Sequence, residues 1–304
     1  MTAHQPRPAH VNRRAALTVC FVATFAAAAL AAAVQGRDAA PPPDELRQLI
    51  ERMIANTHCN DAAIENYERV EHWVARRTEN DPQVRLDKTY RVVPTGTGTL
   101  KVVLKDNGTA VTPEYYYGEL QTLAQDLEWA LDPNEPKQKA RVEKWKKRTA
   151  DRFQAVEAFR DAYTVAWLGH ETREGRALVM LRFDPKPDFH GHSVGTDLLS
   201  SSRVTVWLDA GAQVVRLEAE LVRDMAFGGG LLGKLYRGGR VTIDQVEVAP
   251  GLWMPRSTRY DVRGRKFIFS SEEWRAGEAG DYRRVGLPRE ALRMVREELS
   301  LLPH

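Results

Sequence analysis

Between Arg203 and Ser270 apolar and polar residues alternate with a period of two, and short Gly- or Pro-containing turns interrupt the pattern. From Val214 to Leu221, Val215, Leu217, Ala219 and Leu221 share one side, and Arg216, Glu218 and Glu220 the other. Only an extended strand separates such residues into two faces, one apolar and one wet. Arg203–Asp209 precedes this strand across a turn at Ala210-Gly211. Val241–Val248 follows, then Trp253–Val262 beyond Pro250-Gly251, and Lys266–Ser270 beyond Arg263-Gly264. Long strands joined by short turns predict an antiparallel meander, which this reading ends after Ser271.

The flanking segments have other periods. Asp44 is expected to cap a helix with Leu46, Leu49, Ile50, Met53 and Ile54 on one face. Ile64–Arg76, Val84–Val93 and Thr99–Lys105 read as strands, the last closing at Asp106-Asn107-Gly108. Helices are then predicted over Glu119–Leu131 and Lys137–Ala162, separated by Asp132-Pro133-Asn134-Glu135-Pro136. The second carries an apolar seam of Val142, Trp145, Thr149, Phe153, Val156, Phe159 and Tyr163. A hairpin of Tyr163–His170 and Arg176–Asp184 and a loop over Pro185–Ser202 lead back to the meander. Gly228 to Gly239 reads as a mobile or tightly turned insert, and Leu287–Leu302 as a closing amphipathic helix. This order of elements is α+β.

The first 36 residues hold Arg7, Arg13 and Arg14, no acid, and an apolar run from Ala15 to Val34. That is the pattern of a secretory signal peptide, with the small residues Ala31 and Ala33 suited to cleavage and a mature domain over 37–304. A retained membrane anchor is the alternative, since about 20 apolar residues can span a bilayer. Arg13-Arg14 lacks the rest of a twin-arginine signal. Leu17-Thr18-Val19-Cys20 is a poor lipoprotein box, because Val19 is too large before the cysteine. Cleavage would leave 41 basic residues against 41 acidic ones, so the charge gives no argument for nucleic acid. It would also leave Cys59 as the one cysteine, which excludes an internal disulfide and makes packing alone hold the fold.

Along this order stand Asn66-Tyr67 opening the first strand, Lys88-Thr89-Tyr90-Arg91-Val92, Gly175-Arg176 before Val179–Pro185, Val206-Trp207-Leu208-Asp209, and Gly251-Leu252-Trp253-Met254-Pro255. These spaced motifs resemble the LolA/LolB-type lipoprotein-sorting family. The similarity is to uncharacterised envelope members of that family. It implies an unclosed half-barrel, a strongly curved antiparallel sheet of about nine to eleven strands with helices covering the concave face. It further implies an apolar groove that takes the lipid or acyl chain of a lipoprotein, in the periplasm and without enzymatic activity, cofactor or metal. The groove lining expected on that reading is Trp145, Phe153, Val156, Phe159, Leu217, Leu221, Tyr260 and Phe267. Lys139, Lys144, Lys146, Lys147, Arg148 and Arg152 crowd the long helix. They read as a solvated face or as a contact to an anionic membrane surface.

Other functional classes leave weaker traces. Gly191-His192-Ser193-Val194-Gly195 fits the G-x-S-x-G pattern of a serine hydrolase, but Pro185-Lys186-Pro187-Asp188 is no buried strand and only His304 lies downstream. Gly228 to Lys234 fits part of a phosphate loop, with Leu235 where Ser or Thr would bind magnesium. His190, His192, Asp184 and Asp188 read as a polar loop before a metal cluster. The remaining alternative is a structural or sensory envelope module that binds a protein segment. A fully packed interior with no cleft between helices and sheet would favour it.

Overall fold

A computed structural model describes residues 39–302 except 192, 228–232, 268 and 287. The expected signal segment, residues 228–232 of the phosphate-loop pattern, and His192 lie outside the described residues. Helix α1 spans Pro43–Ala63, followed by β1 (Tyr67–Arg76), β2 (Val84–Pro94), β3 (Thr99–Asp106) and the short β4 (Thr109–Ala110). Then come α2 (Pro113–Leu131), α3 (Pro136–Glu157), the single turn α4 (Phe159–Ala162), β5 (Tyr163–Arg173) and β6 (Arg176–Pro185). Helix α5 (Val194–Ser201) leads into β7 (Ser202–Leu208), β8 (Val214–Leu221), β9 (Met225–Phe227) and β10 (Gly233–Leu235). Finally β11 (Arg240–Ala249), β12 (Leu252–Lys266), β13 (Phe269–Arg284) and α6 (Pro288–Leu301) close the chain.

The fold is α+β with one large antiparallel sheet in the order β4-β3-β2-β1-β13-β12-β11-β8-β7-β6-β5. Its edges, β4 and β5, do not pair with each other, so the sheet is not closed. The short β9 and β10 branch off through β12 and raise the total to thirteen strands.

The strand that ties the two halves together is β13, paired to β1 on one side and β12 on the other. The sequence pattern ended the sheet after Ser271, near the start of this strand. From Glu272 to Glu278 both faces of β13 carry charged residues, so no apolar alternation marks it, and its neighbours' backbones supply the pairing. Arg263-Gly264 is likewise no turn: β12 runs through it, and Lys266 pairs with Phe269. Gly264 is needed because β10 crosses there, where an added Cβ would stand 2.4 Å from the Lys234 carbonyl. Helix α2 begins at Pro113, six residues ahead of Glu119, because the Thr112 hydroxyl accepts from the Tyr115 amide and proline suits the first helical position. The long predicted helix breaks at Ala158 into α3 and α4.

Residues directly opposed in an antiparallel ladder point to the same side, so the register assigns faces across the sheet. One row runs Leu181, Val206, Leu217, Ile243, Thr258, Gly277, Trp73, Lys88. Over β5–β8 this face is apolar, and α1, α3, α4 and α5 pack on it through Met53, Ile54, Val156, Phe159, Ala162 and Leu199. The adjacent row on the opposite face runs Arg182, Thr205, Glu218, Thr242, Arg259, Ala276, Val74, and is mostly polar. At β2 and β3 that second face turns apolar. Val93, Leu100 and Val102 there meet Leu120, Leu123 and Leu127 of α2 and Leu292 and Val295 of α6. The helices thus form two layers on opposite faces of the sheet.

Gly277 shows how closely the middle of the first face is packed. A Cβ at this position would lie 2.6 Å from the Trp73 ring, directly opposite across the ladder. Gly277→Ala is expected to destabilise by about 1–3 kcal/mol in urea titration. Gly280→Ala, with open space around its Cβ, serves as the near-neutral control. Equal midpoints for the two variants would contradict the packing.

Candidate functional site

Between α1, α3 and the β2–β3 hairpin lies a cleft of about 960 Å³. The first helix is held rigidly. Its Asn56 and Asn60 side chains donate to the Gly211 carbonyl (2.9 Å) and the Gln213 amide oxygen (3.0 Å), and the Trp253 amide donates back to Asn60 Oδ1 (3.1 Å). Helix α3 is held from the side, by His58 against Glu157 (2.8 Å) and by Arg152 against Asp61, while α4 is tied by Arg160 against Glu51 (2.7 Å). The hydrogen bonds from His58 and from Arg160 keep the Glu157 carboxyl below its usual range. Burial pushes the Asp61 carboxyl up, more than Arg152 draws it down.

Propped on these side contacts, α3 leaves its seam only partly covered: among its described residues Gln138 alone is buried. Trp145 and Phe153 line the cleft together with Ile64, Leu100 and Arg69. Phe153 is 53% exposed and stacks on the His58 ring at 4.4 Å. Lys144, Arg148 and Arg152 lie on the cleft rim, and all six clustered cations of α3 are exposed.

The other sequence-predicted groove residues go elsewhere. Val156, Phe159 and Leu217 pack into the core over β5–β8. Leu221 is buried beside Gly239, and Tyr260 lies under the Arg275 guanidinium at 5.8 Å. Phe267 sits in the β12–β13 turn with φ 54°, 52% exposed. The structure therefore brings Trp145 and Phe153 to one cleft and does not gather all eight.

A polar cluster that the sequence reading missed adjoins the cleft. The buried Glu71 carboxylate accepts from Arg69 Nε (2.7 Å), Trp73 Nε1 (2.9 Å) and Lys101 Nζ (2.7 Å), and Lys101 also lies over the Tyr90 ring at 5.2 Å. The signal was the Arg69-x-Glu71-x-Trp73 spacing on one strand face; the Lys101 partner needs the register of β1, β2 and β3. Burial alone would raise the Glu71 pKa, but the hydrogen bonds from Lys101 and Trp73 and the Arg69 charge outweigh it and hold it low. A depressed carboxyl stabilises the fold above the unfolded carboxylate range, about pH 4.3, and that contribution is lost as pH falls through the folded pKa. Glu71→Gln is therefore expected to flatten the decline of the urea midpoint between about pH 5 and pH 3. An unchanged slope would mean that Glu71 is not the group titrating.

Ser193 has a structural task. It caps α5, its hydroxyl accepting from the Thr196 amide (3.3 Å) while its own amide donates to the Thr196 hydroxyl (2.9 Å). A helix thus does follow the serine, where the sequence reading placed a loop, but β6 ends at Pro185 and supplies no strand directly before it. Asp184 is engaged by Arg203 (2.6 Å) and Arg182 (2.8 Å). Among the described residues no helix is long and apolar enough to cross a membrane.

The chain matches no protein-family model and no curated protein. Among solved structures it is similar to a DUF1329 family protein from Desulfovibrio piger, at 10% identity and TM-score 0.30 over 77% of this chain and 92% of that one. It is similar to an outer membrane lipoprotein-sorting protein domain from Vibrio parahaemolyticus, at 10% identity and TM-score 0.30 over 82% and 99%. A LolA superfamily protein from Nitrosomonas europaea aligns at 10% identity and TM-score 0.32 over 78% and 96%. Likenesses this distant carry no inference about chemistry.

Proposed function

We propose that the protein is an exported, periplasmic, non-enzymatic binding protein that holds a lipid, or the acyl chain of a lipoprotein, in the cleft between α1 and α3. The observation that carries this reading is the cleft itself. Trp145, Phe153, Ile64 and Leu100 wall about 960 Å³ beneath a helix that buries almost none of its own seam. That volume is in the range of ligand sites, about 300–1,000 Å³, and each methylene buried there contributes about 0.8 kcal/mol. A fully packed interior would have favoured the structural-module reading, and the cleft beside α3 supports ligand binding instead.

Organic extraction and mass spectrometry of the purified protein, with titration of a fluorescent fatty acid, test the proposal. The Trp145→Ala/Phe153→Ala variant is expected to weaken binding at least about tenfold, the loss of roughly two methylene-equivalents of contact. Because Phe153 is half exposed, its own truncation should cost no more than about 1 kcal/mol of stability. No co-purified lipid and no fatty-acid binding by the wild-type protein would overturn the reading.

A further inference from the structure

The cleft is cationic as well as apolar. Arg69, Arg141, Lys144, Arg148 and Arg152 line it against two acids, Asp61 and Glu65, and Asp61 is already paired with Arg152. Its polar groups are also unevenly matched. Arg69 Nη1, Arg141 Nη1, Trp145 Nε1 and the Thr97 hydroxyl are buried without a protein partner, alongside a single unmatched acceptor, Glu65 Oε2. Arg69 and Arg141 each spend another nitrogen on a carboxylate, Glu71 and Asp126, so their remaining N–H groups are held in place by those bonds.

Buried donors left without acceptors are costly, and a surplus of donors with excess positive charge selects for an anion with several acceptor oxygens. A phosphate offers more acceptor oxygens than a carboxylate, and arginine matches its geometry. The neighbouring Ile64, Leu100 and Phe153 offer nothing to a free ion but can flank a hydrocarbon chain. We propose that the ligand of this cleft is a phosphorylated amphiphile. Its phosphate ester head is held by Arg69, Arg141, Thr97 and Trp145, and its chain lies along Ile64, Leu100 and Phe153. This inference rests on the acyl-binding reading and names the ligand class within it.

Isothermal titration of the purified protein with decyl phosphate, decyl maltoside and inorganic phosphate, the amphiphiles below micelle-forming concentrations, tests it. Decyl phosphate is expected to bind about tenfold or more tightly than decyl maltoside, and raising the salt should narrow the difference. In Arg141→Gln/Arg148→Gln that preference should shrink to about threefold or less, with the maltoside affinity unchanged. Should that variant melt early, Lys144→Gln/Arg148→Gln, both at exposed positions, replaces it with the same expectation in lesser degree. Equal wild-type affinity for the two amphiphiles overturns the phosphate assignment and leaves acyl binding standing. Inorganic phosphate binding as tightly as decyl phosphate overturns the amphiphile and makes the site one for a free anion. If neither amphiphile binds, the acyl-binding reading fails, and this inference with it.

Discussion

Phe183→Ala is expected to lower the stability of the protein by about 3–5 kcal/mol, read from urea denaturation. Phe183 is fully buried on β6. Its ring meets Phe159 edge-on at 5.4 Å and Tyr163 at 5.8 Å, and Phe159 and Tyr163 contact each other at 4.9 Å. Such aromatic pairs add about 0.5–1.5 kcal/mol beyond their burial. Burial also drives the Tyr163 phenol well above its usual pKa, so it stays neutral. Removing Phe183 unseats α4 and the end of α3, which Phe159 and Val156 anchor to the sheet. The same variant should therefore weaken ligand binding without touching the cleft lining. A loss of less than about 1 kcal/mol would mean that this aromatic cluster does not seat the helix.

The parts of this architecture that were legible in the sequence are those where one face is dry. Strands β7 and β8 alternate because their apolar residues meet the helix layer, and α6 was found because Leu292 and Val295 lie at helical spacing against β2 and β3. Beyond Ser271 the strand β13 was not legible, since neither of its faces sorts by polarity and its identity comes from the partners on each side. Gly264 misled for a related reason: a glycine that admits another backbone looks, in sequence, like a glycine that turns one.

For the site, Trp145 and Phe153 were recognisable as apolar seam residues. That the seam stands off the sheet was not recognisable, because the separation is set by ion pairs between residues 91 to 109 positions apart, such as Asp61 with Arg152 and Glu51 with Arg160. Arg69 and Arg141 as donors, and the placement of α2 and α6 on the second face, likewise depend on register. A spaced motif carries no register until its neighbours are known.

That second helix layer leads to the other large expected effect. Arg91 lies buried on the second face of β2, donating to Glu68 (3.1 Å) and Tyr116 (3.1 Å) and pairing with Glu298, while the Tyr116 hydroxyl donates to Glu298 (2.7 Å). One guanidinium thus joins β1, α2 and α6. Glu68 has a second partner in Arg283 (2.9 Å), but Glu298 depends on Arg91 and Tyr116. Burial disfavours the Arg91 charge, yet the two carboxylates outweigh it and raise its pKa further, so it stays ionised. Arg91→Met keeps the bulk, removes the charge and leaves the carboxylates facing an apolar stem. It is expected to cost about 3 kcal/mol, near the lower end for breaking a buried pair because Arg283 remains. Adding Glu298→Gln should recover part of that loss, giving a coupling of about 0.5–3 kcal/mol in a double-mutant cycle. By contrast, Arg296 and Glu128 join the same helices at 2.7 Å with both side chains exposed, and Arg296→Ala should cost less than about 1 kcal/mol. If the two arginine variants lost equal stability, the hydrophobic contacts of Leu120, Leu127 and Leu292 would be holding α2 and α6 in place without Arg91.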